Sequence, residues 1–345
     1  MRIFITGGSG FLGQHTLKRL AATPHALRCL VRPGSERRLH QNGILTDSPT
    51  DPLPGNLEII PGGLDDAAAL RAGMSGCDAL IHLANVYTMW ERSPGEMARV
   101  NIEGTRRVLQ TALELGIQRT LYVSTIAVYG KPPQPVITED TPHSPRHFSA
   151  YGRSKAEAER IAWQFHAQGL PLTVFYPGIV LGPGDDKPSG VYLRDFIAGR
   201  IPTPIFRRSV ETYVAVWDVA DAILRALELP QTNGQKYLLG KEQLNGMDYA
   251  RLICQAGAVR MPWMRLPDFI VLAAAYLLTA RSAFTHQPPP WGLSIDAAWT
   301  LFHGFRYAGS KAERELGLRY TPILEALRQA IAWYTRPESR EKGLQ

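Results

Sequence analysis

The sequence predicts an α/β fold: a doubly wound parallel sheet joined to a smaller, mostly helical C-terminal lobe. Three observations carry this. The stretch Met1 to Gly13, MRIFITGGSGFLG, reads as strand, tight turn and helix start. Strand-like runs then alternate with segments of helical spacing up to about residue 178, as in a sheet built from strand-helix-strand units. Beyond that point the alternation loosens and helices predominate.

In the opening stretch, Ile3, Phe4 and Ile5 form a continuous apolar run, as expected of a strand covered on both faces. Gly7, Gly8, Gly10 and Gly13 follow, and an apolar-periodic segment begins at Phe11. Residues without side chains let the chain turn sharply, let a pyrophosphate approach the amides, and let the helix sit close on its strand. The free N–H groups at the helix start attract the phosphates. The turn therefore predicts a dinucleotide site of Rossmann type, with Gly7, Gly10, Phe11, Leu12 and Gly13 at the phosphates.

The other elements follow in order. Gln14 to Ala22 completes the first helix, Leu27 to Val31 is a second strand, and residues 41 to 56 read as a Pro-, Asp- and Gly-rich surface loop. Leu57 to Ile60 is a strand, Asp65 to Ala72 a helix and Asp78 to Leu83 a strand. Pro94 to Gly116 reads as one helix ending at its glycine. Thr120 to Ser124, Ala150 to Ala167 and Leu172 to Tyr176 read as strand, helix and strand. Helices are then expected at Val216 to Leu229, Gly246 to Gln255, Pro267 to Ala280, Ser294 to Phe302, Lys311 to Leu316 and Pro322 to Trp333. This divides the chain into a dinucleotide-binding domain over 1–178, with returning segments from about 213–240, a substrate lobe over 179–336, and a charged, mobile tail over 337–345.

A net charge of +7 and a pI of about 9.4 would suit a nucleic-acid binder, but Lys and Arg are scattered rather than gathered into a stripe with aromatics. Nucleic acid is therefore not expected as a partner. Cys29, Cys77 and Cys254 lie far apart with no C-x-x-C spacing, so neither a disulfide framework nor a metal site is expected, and free thiols point to the cytoplasm. The apolar start is too short for a secretory signal.

Chemistry enters at Ser149-Ala150-Tyr151-Gly152-Arg153-Ser154-Lys155. A Tyr and a Lys four apart share one helix face, where the ammonium can reach toward the phenol, favour its ionised form and make it a usable acid and base. Upstream, Ser124 and Thr125 offer hydroxyls at a strand end that can hydrogen-bond a substrate carbonyl.

Together, TGGSGFLG, HLAN (His82 to Asn85), VNIEGT (Val100 to Thr105), STIAVYG, YGRSK, YPGIVLGPGD (Tyr176 to Asp185), YVAVWDVADAI (Tyr213 to Ile223) and SKAERELG (Ser310 to Gly317) resemble the extended short-chain dehydrogenase/reductase superfamily over nearly the whole chain. Within it the chain is similar to the branch of dihydroflavonol reductases, 3β-hydroxysteroid dehydrogenases and hopanoid-associated sugar-epimerase-like proteins. The resemblance implies that Tyr151 is the general acid and base, that Lys155 holds the nicotinamide ribose and lowers the phenol pKa, and that Thr125 bonds the reacting oxygen, with Ser124 as fallback. It implies cofactor contacts at Ala84, Leu64, Pro177 and Val180, and a bracing role for Asn101 in the sheet. Arg32 ends the second strand, with Ser35, Arg37 and Arg38 beyond it and no acid before Glu36, so NADP(H) is favoured over NAD(H). Relatives commonly carry Gly-Asp-Leu after the third strand. Here Gly63 stands at the Asp position, and Asp65 would replace that side chain only by a register shift.

The expected reaction is hydride transfer between nicotinamide and a carbonyl or secondary alcohol of a polycyclic, steroid- or flavonoid-like, or otherwise apolar substrate. Tyr87, Trp90, Tyr192 and Phe196 are the candidate substrate contacts, within a lobe rich in aromatics. The alternatives are a nucleotide-sugar epimerase or dehydratase that retains its cofactor, with Arg200, Arg207 and Arg208 clamping a diphosphate, and a nucleotide-sensing regulator, which the complete Thr125, Tyr151 and Lys155 set disfavours. A homodimer through 94–116 and 150–167 is expected from the resemblance. The apolar stretch within 267–284 is shorter than the roughly 20 residues of a membrane span, and with Arg260, Arg265 and Arg281 beside it is a candidate for peripheral membrane contact.

Overall fold

The structure, a computed structural model, describes residues 1–41, 44–46, 51–91, 95–131 and 134–336. The chain runs β1 (Arg2–Thr6), α1 (Phe11–Ala21), β2 (Ala26–Val31), α2 (Arg37–Gln41), β3 (Leu57–Pro61), α3 (Ala67–Met74) and β4 (Ala79–His82). A π-helical turn over Ala98–Gly104 leads into α4 (Thr105–Glu114), then β5 (Arg119–Val123), α5 (Ala150–Ala167), β6 (Leu172–Pro177), β7 (Ile179–Leu181) and α6 (Pro188–Ile197). The remainder is β8 (Val210–Ala215), α7 (Val216–Glu228), β9 (Lys236–Leu239), β10 (Glu242–Asn245), α8 (Gly246–Gly257), α9 (Asp268–Thr285), α10 (Ile295–His303), α11 (Ser310–Leu316) and α12 (Ile323–Tyr334).

The main sheet is parallel, in the order β3-β2-β1-β4-β5-β6-β9. Its central strands are apolar and buried on both faces, because helices cover both. Leu17 and Leu20 of α1, Val219 and Ile223 of α7 and Leu316 of α11 share one core, and Leu70, Met74, Val108, Leu109 and Ala162 of α3, α4 and α5 share the other. The doubly wound expectation is thus met.

A second sheet, β10-β8-β7, begins where β6 ends. Gly178 makes the break, since a side chain there would collide with the Thr212 carbonyl and the Tyr307 hydroxyl. The strands β7, β8 and β10, together with α6, occupy stretches whose pattern predicted little. In β8 the reason is visible. Glu211 and Thr212 are polar yet buried, because Glu211 Oε2 accepts from Phe305 N at 3.1 Å and Thr212 Oγ1 donates to Phe305 O at 2.9 Å.

The expected helix over 94–116 differs in form. Its start at Pro94 lies outside the described residues, and Ala98–Gly104 is π-helical. Asn101 turns inward here and Gly104 packs on Leu64, where a side chain would crowd the Leu64 Cδ1. The wider turn accommodates both. Residues 44–46 and 51–56 carry no helix or strand, as expected of the loop, whereas 42–43, 47–50 and the tail 337–345 lie outside the described residues.

Buried His82 joins three elements. Its Nδ1 lies 2.6 Å from Thr6 Oγ1 on β1, and its Nε2 lies 3.0 Å from Thr105 Oγ1 on α4. Burial pushes the His82 pKa down to about 3. Below the ordinary value near 6.5 the unfolded chain takes up a proton that the native imidazole refuses, so this group's stabilising share is lost as pH falls. The stability difference between wild type and His82→Gln, read from urea midpoints, is therefore expected to shrink by about 2 kcal/mol from pH 7 to pH 5. A constant difference would show that the histidine titrates normally.

Candidate active site

The strand order reverses between β1 and β4, and a cleft opens at the carboxyl ends of the strands there, where such sheets bind ligands. Gly7 has φ of 79°, and a side chain on it would strike the backbone of Leu83 and Ala84 at the end of β4. Gly13 packs directly on the Gly7 carbonyl and the Gly8 backbone, while Gly10 N donates to Gly7 O at 3.0 Å. α1 starts with no side-chain cap, so its first amides remain available for phosphate oxygens. These residues fit the pyrophosphate of a dinucleotide. Gly7, Gly10, Phe11, Leu12, Gly13, Arg32, Leu64, Ala84, Pro177 and Val180 line a single cleft of about 620 Å³.

Tyr151 and Thr125 line the same cleft. Ser149 caps α5 by accepting from Gly152 N at 3.1 Å, which places Tyr151 in the first turn. Thr125 caps the short turn Ile126–Tyr129 after β5. Burial raises the Tyr151 pKa above that of an ordinary phenol, and a hydrogen bond with Thr125 opposes this. Tyr87 packs its ring against Tyr151 with centroids 4.7 Å apart.

Lys155 corrects the sequence reading in two respects. It does not line the cleft, being 1% exposed, and its Nζ donates to Tyr122 Oη and Val123 O, each at 2.9 Å, rather than to the Tyr151 phenol. Burial pushes its pKa down to about 7, against the pull of Glu159. Glu159 is a group the sequence reading missed. It is fully buried and accepts from Ser124 Oγ at 2.8 Å, Tyr176 Oη at 2.6 Å and Trp163 Nε1 at 3.2 Å, with His143 Nε2 at 3.6 Å. Its position one turn after Lys155 was the available signal. The Ser124 proton is therefore committed to Glu159, which leaves Thr125 as the freer donor. Asn101 bonds the Val86 backbone at 2.7 and 3.0 Å and Ser154 Oγ at 3.0 Å, so it braces the loop after β4 against α5 rather than the sheet itself.

The substrate half differs from expectation more. Tyr87 and Tyr192 line the cleft, whereas Trp90 and Phe196 do not. Thr88 bonds both the amide and the carbonyl of Trp90, in a local turn that presents Met89 to the cleft instead. Phe196, one turn beyond Tyr192 on α6, is sealed in the core with Ile253 and Leu327. Ile205, Phe206, Trp291, Leu293 and Leu301 complete an apolar wall. Arg200, Arg207 and Arg208 do not line it; Arg200 pairs with Asp195 at 3.0 Å.

Two buried carboxyls line this cleft that the sequence did not single out. Burial raises Glu211 well above the carboxylate range, and raises Asp185 to about 7 although Ser189 Oγ and Lys187 N donate to it. At the adenine end, the Asp65 carboxylate folds back over Gly63 into the space where a side chain at Gly63 would begin, and it lines the cleft beside Leu64.

The family model described as NAD dependent epimerase/dehydratase family matches residues 3–240. A candidate dihydroflavonol 4-reductase of Synechocystis sp. is 29% identical over 96% of this chain and 94% of its own. The 4-hydroxy-2-methyl-3-oxo-4-farnesyl-3,4-dihydroquinoline-1-oxide ketoreductase of Stigmatella aurantiaca is 30% identical over 96% of each. The crystal structure of gox2253 superposes with a TM-score of 0.79 at 29% identity, covering 99% of this chain and 98% of that one. The chain belongs to the NAD dependent epimerase/dehydratase family and is an NAD(P)-dependent oxidoreductase of the short-chain dehydrogenase/reductase type.

Proposed function

We propose that the protein is an NADP(H)-dependent oxidoreductase that interconverts a ketone and a secondary alcohol on an apolar, ring-bearing substrate of steroid or flavonoid size. The observation that carries this reading is the placement of Tyr151 and Thr125 in one cleft with an apolar wall. Bound nicotinamide supplies or accepts the hydride. Tyr151 gives or takes the proton of the reacting oxygen, Thr125 donates to that oxygen, and Tyr87 holds the phenol ring in place. Lys155 fixes the end of β5 through Val123 O and Tyr122 Oη, behind the cleft wall that carries Thr125.

A nucleotide-sugar substrate would bring a diphosphate into the substrate half. The arginines expected to clamp it stand outside the cleft. The Synechocystis and Stigmatella relatives, a dihydroflavonol 4-reductase and a ketoreductase of a farnesylated dihydroquinoline oxide, agree in kind with an apolar ketone. For the cofactor, Arg32, Ser35 and Arg38 line the cleft past β2, which suits a 2′-phosphate. α4 and α5 pack side by side and are the expected face for pairing two copies; light scattering at the monomer mass of 38.2 kDa would remove the dimer.

Tyr151→Phe is expected to lower NADPH consumption with a hydrophobic ketone by about a hundred- to ten-thousandfold, with the NADPH-induced thermal shift retained. Activity close to wild type would overturn the assignment. Arg32→Asp is expected to weaken NADPH by roughly ten- to a hundredfold, as for loss of a charged hydrogen bond, and to leave NADH unchanged or tighter. Equal losses for both nucleotides would place Arg32 away from the 2′ position.

A further inference from the structure

We propose that the outer face of α9 docks on an anionic lipid surface, with the helix lying in the interface rather than crossing the bilayer. Phe269, Ile270, Tyr276, Leu277 and Phe284 recur at helical spacing and share that outward face. They are large and uncovered: Phe269 is 70%, Leu277 74% and Phe284 88% exposed, and Trp263 just before the helix is 84% exposed. An apolar stripe of this kind on a folded chain marks an interaction surface.

Charge decides the partner. Arg260, Arg265 and Arg281 are exposed beside the stripe, and among the described residues none of them forms an ion pair. Asp268 is the one acid between residues 256 and 290, and its Oδ1 already accepts from Arg207 N at 3.2 Å. An apolar stripe rimmed by three arginines against one acid matches anionic headgroups over acyl chains. A symmetric pairing of two copies through this face would bring those arginines together, and the stripe offers few side chains for the hydrogen bonds that protein interfaces carry.

Attachment to the body decides the orientation. α9 has 18 residues, about 27 Å at 1.5 Å each, close to a hydrocarbon thickness. However, it is fastened along its length. Tyr276 Oη accepts from Trp299 Nε1 at 3.1 Å and Thr279 Oγ1 accepts from Ile295 N at 2.9 Å. Val271 and Ala275 are buried in a core with Phe206, Leu293 and Ala298. Only the outer face is free to enter the interface. Phe206 and Leu293 also line the cleft, so its substrate half lies directly behind the docking helix.

The test is co-sedimentation of the full chain with vesicles of phosphatidylcholine alone or with about a third phosphatidylglycerol, at low and high ionic strength. Wild type is expected to pellet with the anionic vesicles at low salt and to be released by high salt. The pair Leu277→Glu and Phe284→Glu is expected to remain in the supernatant. Arg260→Gln, Arg265→Gln and Arg281→Gln combined are expected to bind about a hundredfold more weakly, at roughly fivefold per arginine. An unchanged NADPH-induced thermal shift in both variants reports an intact fold and cradle, and it separates this result from the fate of the hydride-transfer reading. Wild type left in the supernatant with both vesicles would overturn the proposal. So would a wild-type dimer that Leu277→Glu and Phe284→Glu convert to monomer, without any vesicle binding.

Discussion

Lys155 keeps its ammonium inside the protein, donating to Tyr122 Oη and Val123 O with buried Glu159 one turn further along α5. An ammonium taken out of water costs several kcal/mol unless its surroundings replace the lost hydration. Much of the centre of the molecule follows from meeting that demand. Thr105 bonds Tyr122, and His82 bonds Thr105 and Thr6, so one line of polar contacts runs from β1 through β4 and α4 to β5 and α5. The cleft inherits its shape from this line, because these elements carry the cradle, Thr125 and Tyr151.

Glu159 is the second half of the same arrangement. It answers the positive charge, and it also gathers protons from Ser124, Tyr176 and Trp163. The two adjacent hydroxyls at the end of β5 are thereby made unequal: one faces the interior carboxylate, and the other remains beside the phenol.

The parts most legible in sequence were those whose physics is local. The apolar run before Gly7, the glycines at 7, 10 and 13 and the Tyr151 to Lys155 spacing each express a constraint within a few residues, and the structure brings the three glycines and Tyr151 to the cleft. Contacts set by tertiary packing were less legible. Phe196 and Tyr192 share a helix face, yet depth in the core separates them. Trp90 is turned aside by the Thr88 hydroxyl, and Glu211 lies in a strand where one of its oxygens accepts from Phe305 N, nearly a hundred residues away. The Asp65 carboxylate folds into the space beside Gly63, a contact that residue order alone does not show.

The core beneath α9 and α10 is small and separate: Phe206, Val271, Ala275, Leu293 and Ala298 form a cluster apart from those that flank the main sheet. Free energies of local opening follow the apolar burial each region commands. Two of these residues wall the substrate half, whereas the cradle rests on the large cores. One wall of the substrate half thus rests on little apolar burial, whereas the nucleotide end rests on the large cores.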